Sequence, residues 1–492
     1  MKKYIIITLF LSFLTTQAQW TQIGQNINGE APEDLFGNSV SINNDGSIVA
    51  IGAYLNDGNG INAGHVRVFE SINGIWTQIG QDIDGDVAYD QFGVSLSLSS
   101  NGSIIAIGAT LHDENGTNSG QVKVYQNLNE NWIQIGQSIN GEADDDRSGY
   151  LLSLSSDGTV VAIGATRNDG NGSNSGHVRI FKFTNETWTQ IGQDIDGEMP
   201  FDEFGYSLNL SSDGTVVAVG AFFNDGNGNN AGHVRIYQNI NETWMQIGED
   251  IDGESADDFS GFALSLSSDG LIVAIGAPSN DGNGNSAGHV RIYQNINETW
   301  TQIGEDIDGE AEGDISGTSL SINSDGSIIA IGAYGNNISA GHVRIYKNIN
   351  GTWVQIDEDI DGESTFDESG FSVSLSSDGA TVAIGAILND ENGNNAGNVR
   401  VFRNETLGSS EFTINEITFY PNPTKGIINF KNINSNTIQV FIYDVIGSLI
   451  YNHQHSISNN LLQINISSFE NGIYFINIQK ENEFITTKVI KE

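Results

Sequence analysis

The sequence predicts an all-β protein: a seven-bladed β-propeller of four-stranded blades, followed by a small C-terminal β-sandwich. Three observations carry this. Seven tryptophans, Trp20, Trp76, Trp132, Trp188, Trp244, Trp300 and Trp353, stand 56 residues apart five times and then 53, and there is no other Trp. Each interval holds the same four strand-like runs. The period stops near Phe412, after which the pattern changes. Short strands repeated at such a period form an array in which each unit buries its faces against its neighbours.

The elements follow in order within one unit, for which residues 204–248 serve as the type. Tyr206–Leu210 is a short alternating run that ends in Ser211-Ser212-Asp213-Gly214, where Gly tolerates the positive φ of a tight hairpin. Thr215–Ala221 is a continuous apolar run, as a strand covered on both faces requires. His233–Tyr237 alternates again, and Trp244–Gly248 carries the marker Trp. Four strands in each of seven units make a propeller. The sixth copy is three residues shorter between Gly332 and Gly341, a deletion that falls in the loop after the second strand.

The order of motifs predicts how the ring closes. A Trp strand, Trp20–Gly24, precedes the first complete copy, whereas the seventh copy ends at its third strand, Asn398–Phe402, with no Trp after it. The N-terminal strand is therefore expected to complete the seventh blade, which removes an exposed edge without a disulfide. The chain has no Cys.

At the N-terminus, Lys2 and Lys3 precede the apolar run Tyr4–Leu14, and Thr16-Gln17-Ala18 offers small residues for cleavage. Residues 1–18 read as a signal peptide processed between Ala18 and Gln19. The run is shorter than the roughly 20 apolar residues that span a bilayer, so no transmembrane segment is expected in the mature chain. Nineteen basic against 62 acidic residues give a formal charge of −43. That balance argues against nucleic acid or an anionic membrane as partner, because phosphate binding needs a basic surface.

Phe92-Gly93 and Phe204-Gly205 open their units, and Gly276-Ala277-Pro278 closes the second strand of the fifth. With Ser-Gly at Ser148-Gly149, Ser316-Gly317 and Ser369-Gly370, this pattern resembles the FG-GAP repeat, the blade of integrin-type propellers, over residues 20–403. The family's calcium loop, an Asp-x-Asp-x-Asp-Gly run, is reduced here to turns such as Ser156-Asp157-Gly158. Ile417-Thr418-Phe419-Tyr420-Pro421-Asn422-Pro423, Val440–Gly447, Asn471–Ile476 and the terminal Lys488–Glu492 resemble the C-terminal sorting domain of the type IX secretion system. That resemblance implies a small β-sandwich, contact with the type IX machinery, and a secreted or outer-membrane cell-surface location. The expected boundaries are residues 19–404 for the propeller, 405–414 for a linker and 415–492 for the sorting domain.

Two polar loops open on one face of such blades. One carries Asp194, Asp196 and Glu198, with counterparts Asp250, Asp252 and Glu254, and Asp306, Asp308 and Glu310; the other reads Asn224-Asp225-Gly226-Asn227-Gly228-Asn229. Carboxylates and amide oxygens around Gly are ligands that Ca²⁺ prefers, so a ring of calcium sites is one expectation. Asx turns with the charge left in water are the other. His65, His177, His233, His289 and His342 precede Val-Arg in their copies, but Gln121 and Asn398 stand there in copies two and seven, which favours structural imidazoles over metal ligands. The neighbouring arginines are expected to pair with carboxylates, and the repeated Trp to be core. No catalytic or cofactor-binding residue is distinguished. Asp144–Arg147 and Met199–Phe201 depart from the repeat and mark where a specific site would have grown. The expected function is binding or adhesion to an extracellular protein or polysaccharide without chemistry. The competing expectation is a carbohydrate-active hydrolase or lyase using carboxylates at the propeller centre.

Overall fold

The computed structural model describes residues 20–408, 418–431, 437–445, 448–457, 461–480 and 483–492. The expected signal peptide with Ala18 and Gln19, and the expected linker beyond Gly408, lie outside the described residues. The chain divides into two compact units, Met1–Gly408 and Ser409–Glu492. No described helix is long and apolar enough to cross a membrane.

The first unit holds seven antiparallel sheets, one per copy. In the fourth, the strands Ser207–Leu210, Val216–Ala221, His233–Asn239 and Trp244–Gln246 pair in sequence order. The hairpin between the first two follows from its residues: Ser211 Oγ accepts from the Val216 N–H and Asp213 Oδ1 from the Thr215 N–H. The second strand is buried throughout, as its unbroken apolar run requires. Gly220 has a packing reason, since a Cβ there would lie 2.3 Å from the Gly261 carbonyl of the next blade.

One feature departs from the four-run reading. The fourth strand is broken: Trp244–Gln246 pairs with one end of the third strand, and Ile251–Asp252 pairs with the other, opposite His233 and Val234. Between them, Gly248–Asp250 interrupt the pairing, while the Ile247 N–H still donates to the Ile236 carbonyl at 2.9 Å. Asp-Ile-Asp is thus a strand end, and the entry loop to the next blade begins only at Gly253.

Closure is recorded in hydrogen bonds. The N–H groups of Asn44, Ser100, Ser156, Ser212, Ser268 and Ser324 each donate to the carbonyl of the equivalent residue one blade on, at 2.9 or 3.0 Å, and Ser377 returns the bond to Asn44. A second circuit runs through first-strand side chains: Ser41, Ser97, Ser153, Asn209, Ser265, Ser321 and Ser374 each accept an N–H from the neighbouring blade, the last from Ile42. First strands therefore surround the axis, and the ring has no open seam. The seventh blade is completed from the N-terminus, with Thr21 opposite Arg403 and Ile27 opposite Val399.

The tryptophans bind blade to blade. Indole Nε1–H of Trp76, Trp132, Trp188, Trp244, Trp300 and Trp353 donates to an Ile carbonyl of the preceding blade, Ile23 through Ile303, at 2.9 or 3.0 Å. Four seams carry an extra staple. Gln25, Gln81, Gln137 and Gln193 each donate Nε2 to a Trp carbonyl and accept that residue's N–H on Oε1, as Gln137 does with Trp188 at 2.7 and 3.0 Å. Apolar side chains fill each seam; Ile180 and Ile195 of blade three, for example, pack with Phe204, Val217 and Trp244 of blade four.

The second unit is a β-sandwich. Its three-stranded sheet, Thr418–Tyr420, Ile427–Lys431 and Leu461–Asn465, and its four-stranded sheet, Leu449–Ser456, Thr437–Tyr443, Gly472–Lys480 and Glu483–Lys491, bury one core. Ile428, Phe430 and Ile464 from one sheet meet Val440, Ile442, Ile476 and Val489 from the other.

Candidate functional site

The loop after a second strand and the entry loop to the next blade lie on one face. Gly232 bridges to Ser260, and the Asp257 N–H donates to the Asn229 carbonyl at 2.7 Å. The oxygens of the Asn-Asp-Gly loop are committed to its own shape: Asn224 Oδ1 accepts from Gly226 and Asp225 Oδ1 from the Asn230 N–H, both at 2.8 Å. Asn224 Nδ2 holds the buried Asp202 at 3.0 Å. These are Asx turns in every respect.

The nine carboxylates expected as ligands are not assembled loop by loop. Asp194, Asp250 and Asp306 are each held by a Gln amide four residues earlier. Asp196, Asp252 and Asp308 are exposed strand ends; burial of their surroundings and the adjacent Asp raise their pKa. Glu198, Glu254 and Glu310 reach into the next blade. The groups that converge within 4.8 Å are Glu198 with His233 and Asp250, Glu254 with His289 and Asp306, and Glu310 with His342 and Asp359, plus Glu30 with His65 and Asp82, and Glu142 with His177 and Asp194. Such groups are close enough to share a cation. One is already present: Arg235 contacts both Glu198 and Asp250, and Arg67, Arg179, Arg291 and Arg344 reach Glu30, Glu142, Glu254 and Glu310. Burial and the adjacent guanidinium lower His65, His177 and His233 to a pKa of about 4, so these imidazoles are neutral at pH 7.

The mouth of the ring behaves differently from this regular periphery. The residue that precedes each Phe-Gly or Ser-Gly pair is Leu35, Gln91, Arg147, Glu203, Phe259, Ile315 or Glu368, every one in the left-handed region at φ between 50° and 58°. Backbone strain of this kind in bulky residues persists only where the surroundings enforce it. The backbone is repeated seven times there, yet the side chain is almost never the same. The residue three places on begins the innermost strand and also varies, with Tyr150, Tyr206, Phe262 and Phe371 in four copies.

These side chains gather. Tyr206 lies 4.2 Å from Phe222 and 5.1 Å from Phe262 between ring centroids, Tyr150 lies 5.0 Å from Tyr206, and Phe223 packs on Phe259 at 5.7 Å. Across the opening, Tyr334 lies 5.6 Å from Phe371. Tyr54 interacts with Tyr150, and Tyr206 with Tyr334, although neither pair comes from adjacent blades, so the rings turn towards the axis. Glu203 stands beside Arg147 and Arg167; the carboxyl of Glu368 has no hydrogen bond or ion pair among the described residues. Burial raises the pKa of both. Arg147, from the departure at Asp144–Arg147, is thus part of the mouth, whereas Met199 and Phe201 lie exposed on the loop face. The legible signal for this site is the difference among copies at one fixed register.

A second irregularity lies at the seams. Where blades one to four receive a Gln staple, the remaining three seams have Glu249, Glu305 and Glu358. A carboxylate cannot donate to the Trp carbonyl, and among the described residues none of the three bonds to a Trp backbone. Trp300 and Trp353 are correspondingly less buried than Trp76 or Trp188. Clefts open at two of these seams: about 540 Å³ beside Glu249 and Trp300, and about 160 Å³ beside Glu358 and Trp20.

Comparison with known families agrees with the repeat and the tail. The FG-GAP repeat matches residues 28–69, 76–125 and 360–402, and the secretion system C-terminal sorting domain matches residues 418–492. The chain carries FG-GAP repeats and a secretion-system sorting tail. The tail marks the chain for type IX export, to the medium or the cell surface. No curated protein matches the chain. Among solved structures, a candidate 6-phosphogluconolactonase from Bacteroides uniformis is similar at 12% identity and a TM-score of 0.45, over 85% of this chain and 99% of that one. AofleA from Arthrobotrys oligospora is similar at 11% identity and a TM-score of 0.38, over 72% and 92%.

Proposed function

We propose that this exported propeller is a non-catalytic binding or adhesion module for an extracellular protein or polysaccharide, and that the ligand sits on the axial mouth. The observation that supports this reading is the divergence of the copies. Packing positions repeat from blade to blade, whereas the positions facing the axis carry Arg, Glu, Gln, Phe, Ile and Tyr on one repeated backbone. A symmetric scaffold gains nothing in stability from six different residue types at seven equivalent positions; a single asymmetric ligand would. Aromatic walls with a few charged groups suit such a ligand.

The test is retention on a panel of glycans and polysaccharides, comparing the protein with a Phe262→Ala/Tyr334→Ala variant. Retention that falls at least about tenfold in the variant, a loss of about 1.4 kcal/mol, supports the reading. Equal retention by both overturns it.

One observation favours the enzymatic alternative. Glu203 and Glu368 are half-buried carboxyls at the propeller centre with raised pKa, the condition for a general acid. Release of reducing ends or unsaturated sugars that disappears in Glu203→Gln or Glu368→Gln would replace binding by hydrolysis or elimination. Calcium at the Glu-His-Asp groups would have to share its carboxylates with an arginine, and the donor set has a nitrogen where Ca²⁺ prefers oxygen. Melting with calcium and with chelator decides this, since bound calcium raises the midpoint.

A further inference from the structure

The seam between blades six and seven differs from the other six by one residue. Each Trp docks on an Ile-Gly pair of the preceding blade, and the Gly is required twice. At Gly24 the backbone is left-handed, at φ 74°, and a Cβ would lie 2.7 Å from Cδ1 of Trp76; Gly136, Gly192, Gly248 and Gly304 show the same 2.7 Å approach to their own Trp. The equivalent position before Trp20 is Asp357, at φ 64°. A Cβ at this position would crowd an indole seated as in the other copies, and the Asp357 carboxylate accepts from Asn404 Nδ2 at 2.8 Å.

The consequence is a cleft in which the Trp20 indole N–H is unanswered. Trp20 is 7% exposed, yet among the described residues its Nε1–H, bonded in all six other copies, has no acceptor. Among the described residues Arg400 makes no ion pair, whereas the arginines of five other blades each hold a Glu. It donates instead to the Asp361 carbonyl and Ser369 Oγ, and its guanidinium lies 5.3 Å from the Phe402 ring. Trp20, Phe402 and Arg400 come to the cleft from blade seven, and Glu358, Asp359 and Asp361 from blade six.

We infer that this cleft is a saccharide site, taking one neutral hexose unit. The chemistry is specific. A hexose presents an apolar C–H face, for which the face of an aromatic ring is the usual partner, and Trp20 and Phe402 line the cleft. Its hydroxyls both accept and donate, so a single ring answers the indole N–H and the guanidinium as acceptor and the carboxylates as donor. A bare cation would satisfy the carboxylates and leave the indole N–H unpaired; an anion would meet four carboxylates. The volume, about 160 Å³, is that of a single ring rather than a chain. The site is separate from the axial mouth, so the two readings stand or fall independently.

The test uses the indole N–H resonances, of which the protein has seven. The intact protein, labelled with ¹⁵N-Trp, is titrated with glucose, galactose, mannose and N-acetylglucosamine, and separately with methylammonium chloride. At least one hexose is expected to shift the Trp20 cross-peak, assigned from Trp20→Phe, and to leave the other six in place. Asp357→Gly is the second variant. It restores the seat of the ring, so it should raise the melting temperature, move the Trp20 resonance to the position of a bonded indole, and abolish the hexose shift. The inference is overturned if no hexose moves Trp20, if methylammonium alone moves it, or if Asp357→Gly responds to hexose as the parent does.

Discussion

At the scale of single residues, the pair Gln137 and Glu249 shows how much one atom decides. The amide of Gln137 both donates to and accepts from the backbone of Trp188; the carboxylate of Glu249 can only accept, and would repel a carbonyl oxygen in the place of the Gln partner. Glu249→Gln and Glu305→Gln are therefore expected to stabilise the ring by about 0.5–1.5 kcal/mol each, the net worth of a hydrogen bond, measured as a rise in the denaturation midpoint. The reverse change, Gln137→Glu, should destabilise by a similar amount. Trp20 offers a complementary comparison. Because its indole N–H has no partner, Trp20→Phe should cost about 1 kcal/mol less than Trp188→Phe, which breaks a 3.0 Å bond to Ile135.

The histidines act at this scale too. His65, His177 and His233 are neutral and buried, with pKa lowered from the ordinary 6.5 to about 4. Between those values the unfolded chain binds protons that the folded one refuses. Their contribution is therefore complete above pH 6.5 and is lost as pH falls through the interval to about 4. Denaturation followed from pH 7 to pH 4 should show a steady fall in stability. His177→Gln, the residue found in copy two, should reduce its slope.

At the scale of elements, the strands were legible because their residues are forced. The run Val216–Ala221 must be apolar to be covered on both faces, and Trp must recur because each one fills the seam of the blade before it. The broken fourth strand was harder to see. Ile251 and Asp252 sit among carboxylates that look like a loop, and only pairing with His233 and Val234 makes them strand. The pairing of Glu198 with the blade after its own was invisible for the same reason: the sequence shows the loop that holds a side chain, and not the seam it crosses. The left-handed positions at the mouth were unreadable by composition, since Ile and Phe are poor choices there and tertiary contacts alone hold them. What remained readable was their disagreement from copy to copy. The N-terminal strand supplies a test at this level. Deleting residues 20–26 removes the pairing of Thr21 and Gln22 with Arg403 and Phe402 and the burial of Trp20, which by itself is worth about 3–5 kcal/mol. The melting temperature of the entire propeller should fall sharply; an unchanged melt would mean that the seventh blade does not need it.

At the scale of the whole molecule, the ring is held by identical contacts and distinguished by different ones. Two circuits of hydrogen bonds join all seven blades and return to their start, so loss of one blade interrupts both. Regularity at the rim and seams supports the scaffold, and irregularity at the axis supports recognition. The most direct test of that division is the affinity for whichever polysaccharide or protein the panel retains, measured for three forms: the parent, Phe262→Ala/Tyr334→Ala at the mouth, and Met245→Ser on the exposed outer strand. The account predicts an affinity reduced at least about tenfold by the mouth variant and unchanged by the outer one. Loss of affinity in Met245→Ser with the mouth variant unaffected would contradict it.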